Sequence, residues 1–357
     1  MHVSIVARPG HCFIQPYRAA APVGRCYALP AMAHAGGSRL SPPAPSPLDG
    51  VAKFMLAHLG HGGSWETVPP EARARVSHYY LPVYAWIQDQ LKQHRDAGER
   101  GPLIVGISAP QGCGKSTLCE ELHAAFEEQG LKAVGVSIDD FYLTHTELQR
   151  VSGEHPGNRL LEKRGNALTH DLELGTATLR ALSSAAGRDA RTRVPRYDKS
   201  AHAGRGDRFP EDQWAAVEGP VDLVLFEGWM LGFQATDEEA AAAIDPDLVP
   251  INRALRRYKD AWDMYVHSWI VIQVADAGYA AAWRLEAEQK QRRSGKPAMT
   301  DAQVADFVSC YMPAYRLYLP SLYKDGPTTA RKGHTLVVEI DQSRVPITDL
   351  SGLLPDA

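Results

Sequence analysis

Lys115 followed by the hydroxyl of Ser116 closes the run Gly106-Ile-Ser-Ala-Pro-Gln-Gly-Cys-Gly-Lys-Ser-Thr117. These residue types at this spacing suit phosphate. Glycines let backbone N–H groups turn inward on an anion, and a helix opening at Lys115 would add the positive end of its dipole. Lys115 would reach the terminal phosphates of a nucleotide and Ser116 would sit on Mg²⁺. Gln111, Gly112, Cys113, Gly114, Lys115, Ser116 and Thr117 are therefore the candidate nucleotide-binding residues. The first glycine of the usual G-x-x-x-x-G-K-[ST] pattern is replaced by Ala109, small enough to keep the close backbone approach. A glycine loop opening an ordinary helix is the plainer alternative. A strand before it, with a lysine and a hydroxyl after it, favours nucleotide binding.

Two acidic positions complete this chemistry. Ala133-Val-Gly-Val-Ser-Ile138 reads as a buried parallel strand and runs directly into Asp139 and Asp140. Acids just beyond a strand's carboxyl end sit where α/β sheets bind substrates, and a carboxylate there can take a proton from an attacking hydroxyl. Asp139 is the candidate base; Asp140 reads better as a metal or turn partner. Val221-Asp-Leu-Val-Leu-Phe226 then ends in Glu227, an acid placed to help hold Mg²⁺. Ser116, Asp139 and Glu227 form the expected metal set, with Lys115, Asp139 and Glu227 as the catalytic group.

These residues need a sheet to carry them. Short apolar strands alternating with helical stretches predict an α/β fold, a doubly wound and mainly parallel sheet with helices on both faces. Leu81, Tyr84, Ile87 and Leu91 make a helical apolar stripe, so residues 49–98 are expected to form a helical layer against that sheet, with residues 99–347 as the nucleotide-binding domain. The remaining helical expectations are Asn252 to Tyr265, Ala280 to Arg293 and Thr300 to Tyr323. Further strands are expected at Trp269 to Val274 and Leu336 to Ile340. The helix Ala280 to Arg293 ends in a basic cluster before Gly295 and Pro297. Arg284, Arg292 and Arg293 are its candidates for a lid closing over transferring phosphate, although a solvated helix face explains any one of them equally well. Residues 188–208 hold seven Lys or Arg and three acids around Tyr197 and His202, a mixture suited to a small anionic substrate.

Composition narrows the class. The chain has 357 residues, 44% hydrophobic and 22% charged, with net charge −4, so no global basic field points to nucleic acid or to an anionic membrane. Five cysteines without paired spacing fit a reducing compartment. No apolar run is long enough to span a bilayer. A monomer or weak oligomer acting on a small molecule is expected. The first acid is Asp49; before it lie Arg8, Arg18, Arg25, Arg39 and a Pro-rich end, the pattern of an organelle transit peptide over residues 1–48, for plastid or mitochondrion. A disordered tail is the alternative.

Ser108 to Lys115, Asp139-Asp-Phe-Tyr142, Arg164-Gly-Asn166 with His170-Asp171, Pro195 to His202 with Gly204 to Arg208, and Leu225 to Gly232 together resemble plant-type D-glycerate 3-kinases. The resemblance covers roughly residues 80–347. It implies a P-loop kinase fold related to phosphoribulokinase, uridine kinase and pantothenate kinase, with ATP, Mg²⁺ and glycerate phosphorylated at its 3-hydroxyl. It further implies a photorespiratory role in the chloroplast. It places the base on Asp139 and acceptor contacts on Tyr197 and His202, with Arg205, Arg208 and His170 as further acceptor residues. Another small-molecule kinase of this fold, acting on a nucleoside or pantothenate, or a non-catalytic nucleotide-binding regulator, are the competing readings.

Overall fold

The computed structural model describes residues 48–354 apart from 63, 64, 188, 296 and 297. The expected transit segment lies outside the described residues except for Leu48, as do Arg188, Lys296 and Pro297 of the basic stretches.

Among the described residues nine strands are formed, in chain order β1 Leu103–Ser108, β2 Ala133–Ser137, β3 Arg191–Val194, β4 Tyr197–Asp198, β5 Asp207–Arg208, β6 Ala215–Glu218, β7 Leu223–Gly228, β8 Ser268–Val274 and β9 Thr335–Ile340. Five of them make one parallel sheet in the order β2-β7-β1-β8-β9. Alternation along each strand divides the core in two. Leu103, Val105, Ile107, Leu225 and Ile270 face a cluster with Met55, Tyr84, Ile87 and Phe126. Ile104, Val224, Phe226, Trp269 and Val271 face a second cluster with Leu179, Leu248, Trp262 and Tyr315. Strands buried on both faces read as continuous apolar runs, which is why the sequence shows them so plainly.

Helices Asp49–His58 and Leu81–Asp96 form the N-terminal layer and reach the helix Lys115–Glu128, with Tyr84 stacked on Phe126 at 4.4 Å. The expected helix from Asn252 to Tyr265 is three pieces, Leu248–Leu255, Tyr258–Ala261 and the short turn Asp263–Tyr265. The run from Thr300 breaks at Cys310 and Tyr311 into Asp301–Ser309, opened by a Thr300/Gln303 capping box, and Met312–Asp325. Pro313 stands in the first turn of the second helix, where its missing N–H leaves no intrahelical bond unmade.

Candidate active site

The register β1–β7 sets Ile107 beside Glu227 and Ser108 beside Gly228, and β2–β7 sets Ser137 beside Glu227. Three parallel strands therefore deliver the phosphate loop, Glu227 and the Asp139 segment to one edge, beyond their carboxyl ends. The Ala109 N–H donates to the Gly228 carbonyl (3.2 Å), tying the loop's first residue to the strand that carries Glu227.

Gly112 and Gly114 adopt φ of +83° and +94°, the left-handed region where a side chain is strained. A Cβ on Gly112 would also stand 2.7 Å from Trp283 Cβ. Gly114 caps the helix Lys115–Glu128, whose first residues Ser116 and Thr117 are exposed. Lys115 is ion-paired with Glu227; burial would lower the lysine's pKa, but Glu227 outweighs it and the ammonium is held charged, its pKa raised. From a distance in sequence, the Tyr315 hydroxyl accepts from the Gln111 N–H (2.9 Å), and Arg344 donates from Nε to the Gly112 carbonyl (2.8 Å). Arg344 also lies 5.2 Å from the Trp283 ring and pairs with Glu286 at 2.9 Å. Neither Tyr315 nor Arg344 was visible as a loop partner in the sequence. Cys113 is buried beneath the loop, and burial pushes its thiol up to about 11, so it is a packed residue rather than a reactive one.

Asp139 and Asp140 occupy the short turn Ile138–Phe141, capped by Ser137. Asp140 is the capping-box partner: it accepts from the Ser137 N–H (3.3 Å) and pairs with Arg196 (3.1 Å). Burial pushes its carboxyl up to about 6. Asp139 goes the other way. Burial would raise it, but Lys199 at 2.5 Å, Lys115 and a hydrogen bond from Tyr142 hold it well below the usual carboxylate range. Two adjacent acids thus have separate jobs, one in the turn and one ionised toward the site.

The acceptor candidates separate into a buried set and an exposed set. His170 is buried, stacked on Tyr142 at 4.7 Å, with Nδ1 at 2.9 Å from the Tyr258 hydroxyl and Nε2 unpartnered among the described residues. Burial pushes its pKa down to about 3, so its ring is neutral. Arg208 donates to the Tyr142 carbonyl and to Asp171, each at 3.0 Å, and its buried Nε has no partner among the described residues. Tyr197 packs edge-on to Tyr142 at 5.3 Å and donates to the Leu143 carbonyl (3.2 Å). His202 instead lies on an exposed turn at φ +50°, stacked on His145 at 3.9 Å and bonded to Asp207 at 3.0 Å. Arg205 is exposed; its N–H donates to the His202 carbonyl (3.3 Å) and its carbonyl accepts from Arg164. Arg164 was not singled out for a role, yet it binds the carbonyls of Gly204 (2.8 Å), Arg205 (2.5 Å) and Lys199 (3.3 Å) and lies 5.6 Å from the Tyr197 ring. It fastens the whole β4–β5 loop to the site.

The three lid candidates are held on their own helix and its neighbour. Arg284 pairs with Glu288 at 2.6 Å and lies over Phe307, Arg292 pairs with Asp301, and Arg293 reaches Gln289 at 3.5 Å. Arg344 is a basic side chain that does reach the phosphate loop, through the Gly112 carbonyl.

Among the described residues no group of three or more His, Cys, Asp or Glu is arranged to hold a metal by itself. Mg²⁺ takes one or two carboxylates and leaves its other positions to water and phosphate oxygens. Glu227 and the ionised Asp139 lie on adjacent strand ends with the Ser116 hydroxyl exposed at the helix start, so the donors present fit this ion.

No protein-family model matches the chain. It is 46% identical over 285 residues to the chloroplastic D-glycerate 3-kinase of Arabidopsis thaliana, an alignment covering 79% of this chain and 62% of that one. The chain thus spans under two thirds of that relative's length. An uncharacterized kinase, mug58, of Schizosaccharomyces pombe is 34% identical over 266 residues, covering 72% of this chain and 93% of the relative. The solved structure of a D-glycerate 3-kinase from Cryptococcus neoformans superimposes with a TM-score of 0.68 at 35% identity, covering 75% of this chain and 97% of that one. With the loop, the two acids and the sheet order already in place, these relationships mean that the chain belongs to the D-glycerate 3-kinase family of P-loop kinases.

Proposed function

We propose that the protein transfers the terminal phosphoryl group of ATP to the 3-hydroxyl of D-glycerate. The observation that carries this reading is Asp139: a half-buried carboxylate held ionised two residues past the strand position paired with Glu227, which itself grips Lys115 of the phosphate loop. Base and phosphate machinery share one strand edge. The glycerate 3-kinases of Arabidopsis and Cryptococcus support the choice of acceptor.

Phosphoryl transfer asks mainly for alignment and charge neutralisation. Gln111 to Thr117 hold the phosphates of ATP, with Lys115 on the migrating group. Ser116, Asp139 and Glu227 are the residues that would hold Mg²⁺, which when bound neutralises charge on the phosphate oxygens. Asp139 orients the glycerate hydroxyl and accepts its proton. Arg208 and His170 offer unpartnered nitrogens beside it, and an unmade buried bond costs about 1–3 kcal/mol that a small polar substrate can relieve. Tyr197 and Tyr142 close the apolar side. Arg205 and His202, on the exposed turn, contact glycerate only if that turn folds inward.

ADP release measured over glycerate, uridine, pantothenate and ribulose 5-phosphate tests the assignment. Glycerate should give the highest kcat/KM. A higher value on any of the others would replace the acceptor, and no turnover on all four would favour a regulator. The photorespiratory role and a plastid address over residues 1–48 belong to the same proposal, supported by the acid-free N-terminus and by the Arabidopsis relative, which is chloroplastic. A fluorescent fusion of residues 1–48 that enters mitochondria instead would overturn the address.

A further inference from the structure

A cavity of about 160 Å³ opens at the end of the sheet opposite the phosphate loop. Leu103 and Ser268, the first residues of β1 and β8, lie in its wall. Catalytic ligands of such sheets bind beyond the carboxyl ends of the strands, so this cavity is separate from the site above. Its wall also carries His94, His267, His334, Arg331 and Glu99.

Hydrogen bonds decide which ring nitrogens carry protons. The Ile104 N–H donates to His267 Nδ1 (3.0 Å), so the proton of this ring is on Nε2. Burial first, then His94 and Arg331, push the His267 pKa down to about 4, and the ring stays neutral. Gln90 is buried and its Nε2 donates to the Gly333 carbonyl (3.2 Å). Its Oε1 then accepts from the Ser268 hydroxyl and from His334 Nδ1, each at 2.8 Å. His94 faces the Gly101 carbonyl through Nε2 (3.3 Å).

The wall therefore mixes donors, His267 Nε2–H and the Arg331 guanidinium, with an acceptor, the Glu99 carboxylate. A fully ionised oxyanion has only acceptors and would meet Glu99 with nothing to give. Inorganic phosphate keeps a P–OH at neutral pH, and a monoester keeps one on part of its population, because its second pKa is about 6. Such a group can accept from Arg331 and His267 and donate to Glu99. We propose that this cavity is a second anion site, selective for a singly protonated phosphate group, free or in a small monoester.

The test follows histidine imidazole resonances by NMR at pH 6.5, with excess ADP present so that the phosphate loop is occupied. Inorganic phosphate should shift the His267 and His334 signals saturably. Sulfate, unprotonated at that pH, should bind at least about tenfold more weakly at equal ionic strength, since it lacks the donor. Arg331→Gln, at an exposed position, should weaken phosphate by about tenfold through loss of a charge-assisted bond. Glycerol phosphate shifting the same signals more strongly than inorganic phosphate would identify a monoester as the ligand; a weaker shift would identify the free ion. Signals that do not move, that move equally with sulfate, or that move unchanged in Arg331→Gln would overturn the proposal.

Discussion

Replacing Asp139 by asparagine removes one charge and one acceptor while keeping the side chain's shape. The loss can be sized from its surroundings. The carboxylate is held ionised by Lys199, Lys115 and Tyr142, so at neutral pH it is a ready acceptor for the substrate proton. General-base assistance is worth about 10²–10⁴ in rate, or about 3–5 kcal/mol of barrier. Asp139→Asn should therefore lower kcat by at least about 10². ATP binding should survive, because Lys115 keeps Glu227 and the loop glycines are untouched. Folding should also survive, since Lys199, the partner left behind, is half exposed and can be solvated. The pH dependence carries a sign. A carboxylate with a depressed pKa contributes stability above the ordinary carboxylate range and loses it only as pH falls through the folded value, so Asp139 produces no acid limb in the rate above about pH 5. The assay is steady-state ADP release at saturating glycerate and ATP, with nucleotide affinity measured separately. A kcat within tenfold of the parent would refute the assignment. An inactive but folded Asp140→Asn beside an active Asp139→Asn would move the base by one residue, against the capping role of Asp140.

Four further outcomes are expected. Lys115→Ala should abolish transfer, read as ADP release below about 1% of the parent, because the migrating phosphoryl group loses its main cation. Arg208→Ala should raise KM for glycerate at least about tenfold while KM for ATP moves little, as loss of a buried charged donor predicts; the reverse split would assign Arg208 to the nucleotide. Cys113 should resist iodoacetamide at pH 7.5 in the folded chain, since its thiol is buried and pushed up to about 11, and mass spectrometry showing alkylation at the rate of a free thiol would refute that packing. Asp263 is buried with its carboxyl pushed up to about 7, so its contribution to stability is full below about pH 4 and is lost as pH rises through 7. Between pH 5 and pH 8, Asp263→Asn should gain about 2–3 kcal/mol on the parent in urea unfolding, and a difference that does not change with pH would sink the argument.

What was legible in the sequence is what local chemistry determines. The phosphate loop needs glycines, a lysine and a hydroxyl within a few residues, and the buried parallel strands need unbroken apolar runs, so both can be read where they stand. Asp139 and Glu227 could be placed because each directly follows such a run. The pairing of β3 with β6 could not, because four-residue strands with the exposure pattern of Arg191–Val194 carry no apolar signature and find each other across twenty intervening residues. Basic residues show a related limit. Arg284, Arg292, Arg293, Arg164 and Arg344 look alike in a sequence, since charge is visible and the partner is not. Three of them stay on a helix and its neighbour, where Glu288 and Asp301 lie close in the chain. Arg164 and Arg344 bind backbone carbonyls, and a carbonyl is present at every residue and marks none.

That difference has a consequence for the active site. A guanidinium bonded to a carbonyl keeps its full charge, whereas one paired with a carboxylate has it largely cancelled locally. Arg344 does both, with Nε on the Gly112 carbonyl and a terminal nitrogen on Glu286, so it fixes the loop's backbone while its charge is partly offset. Among the described residues Arg164 holds carbonyls and the Tyr197 ring, and its pull falls on Lys199, Gly204 and Arg205 together. Lys199 is the residue that holds Asp139. Arg164 thus anchors the backbone of the lysine whose ammonium pairs with Asp139.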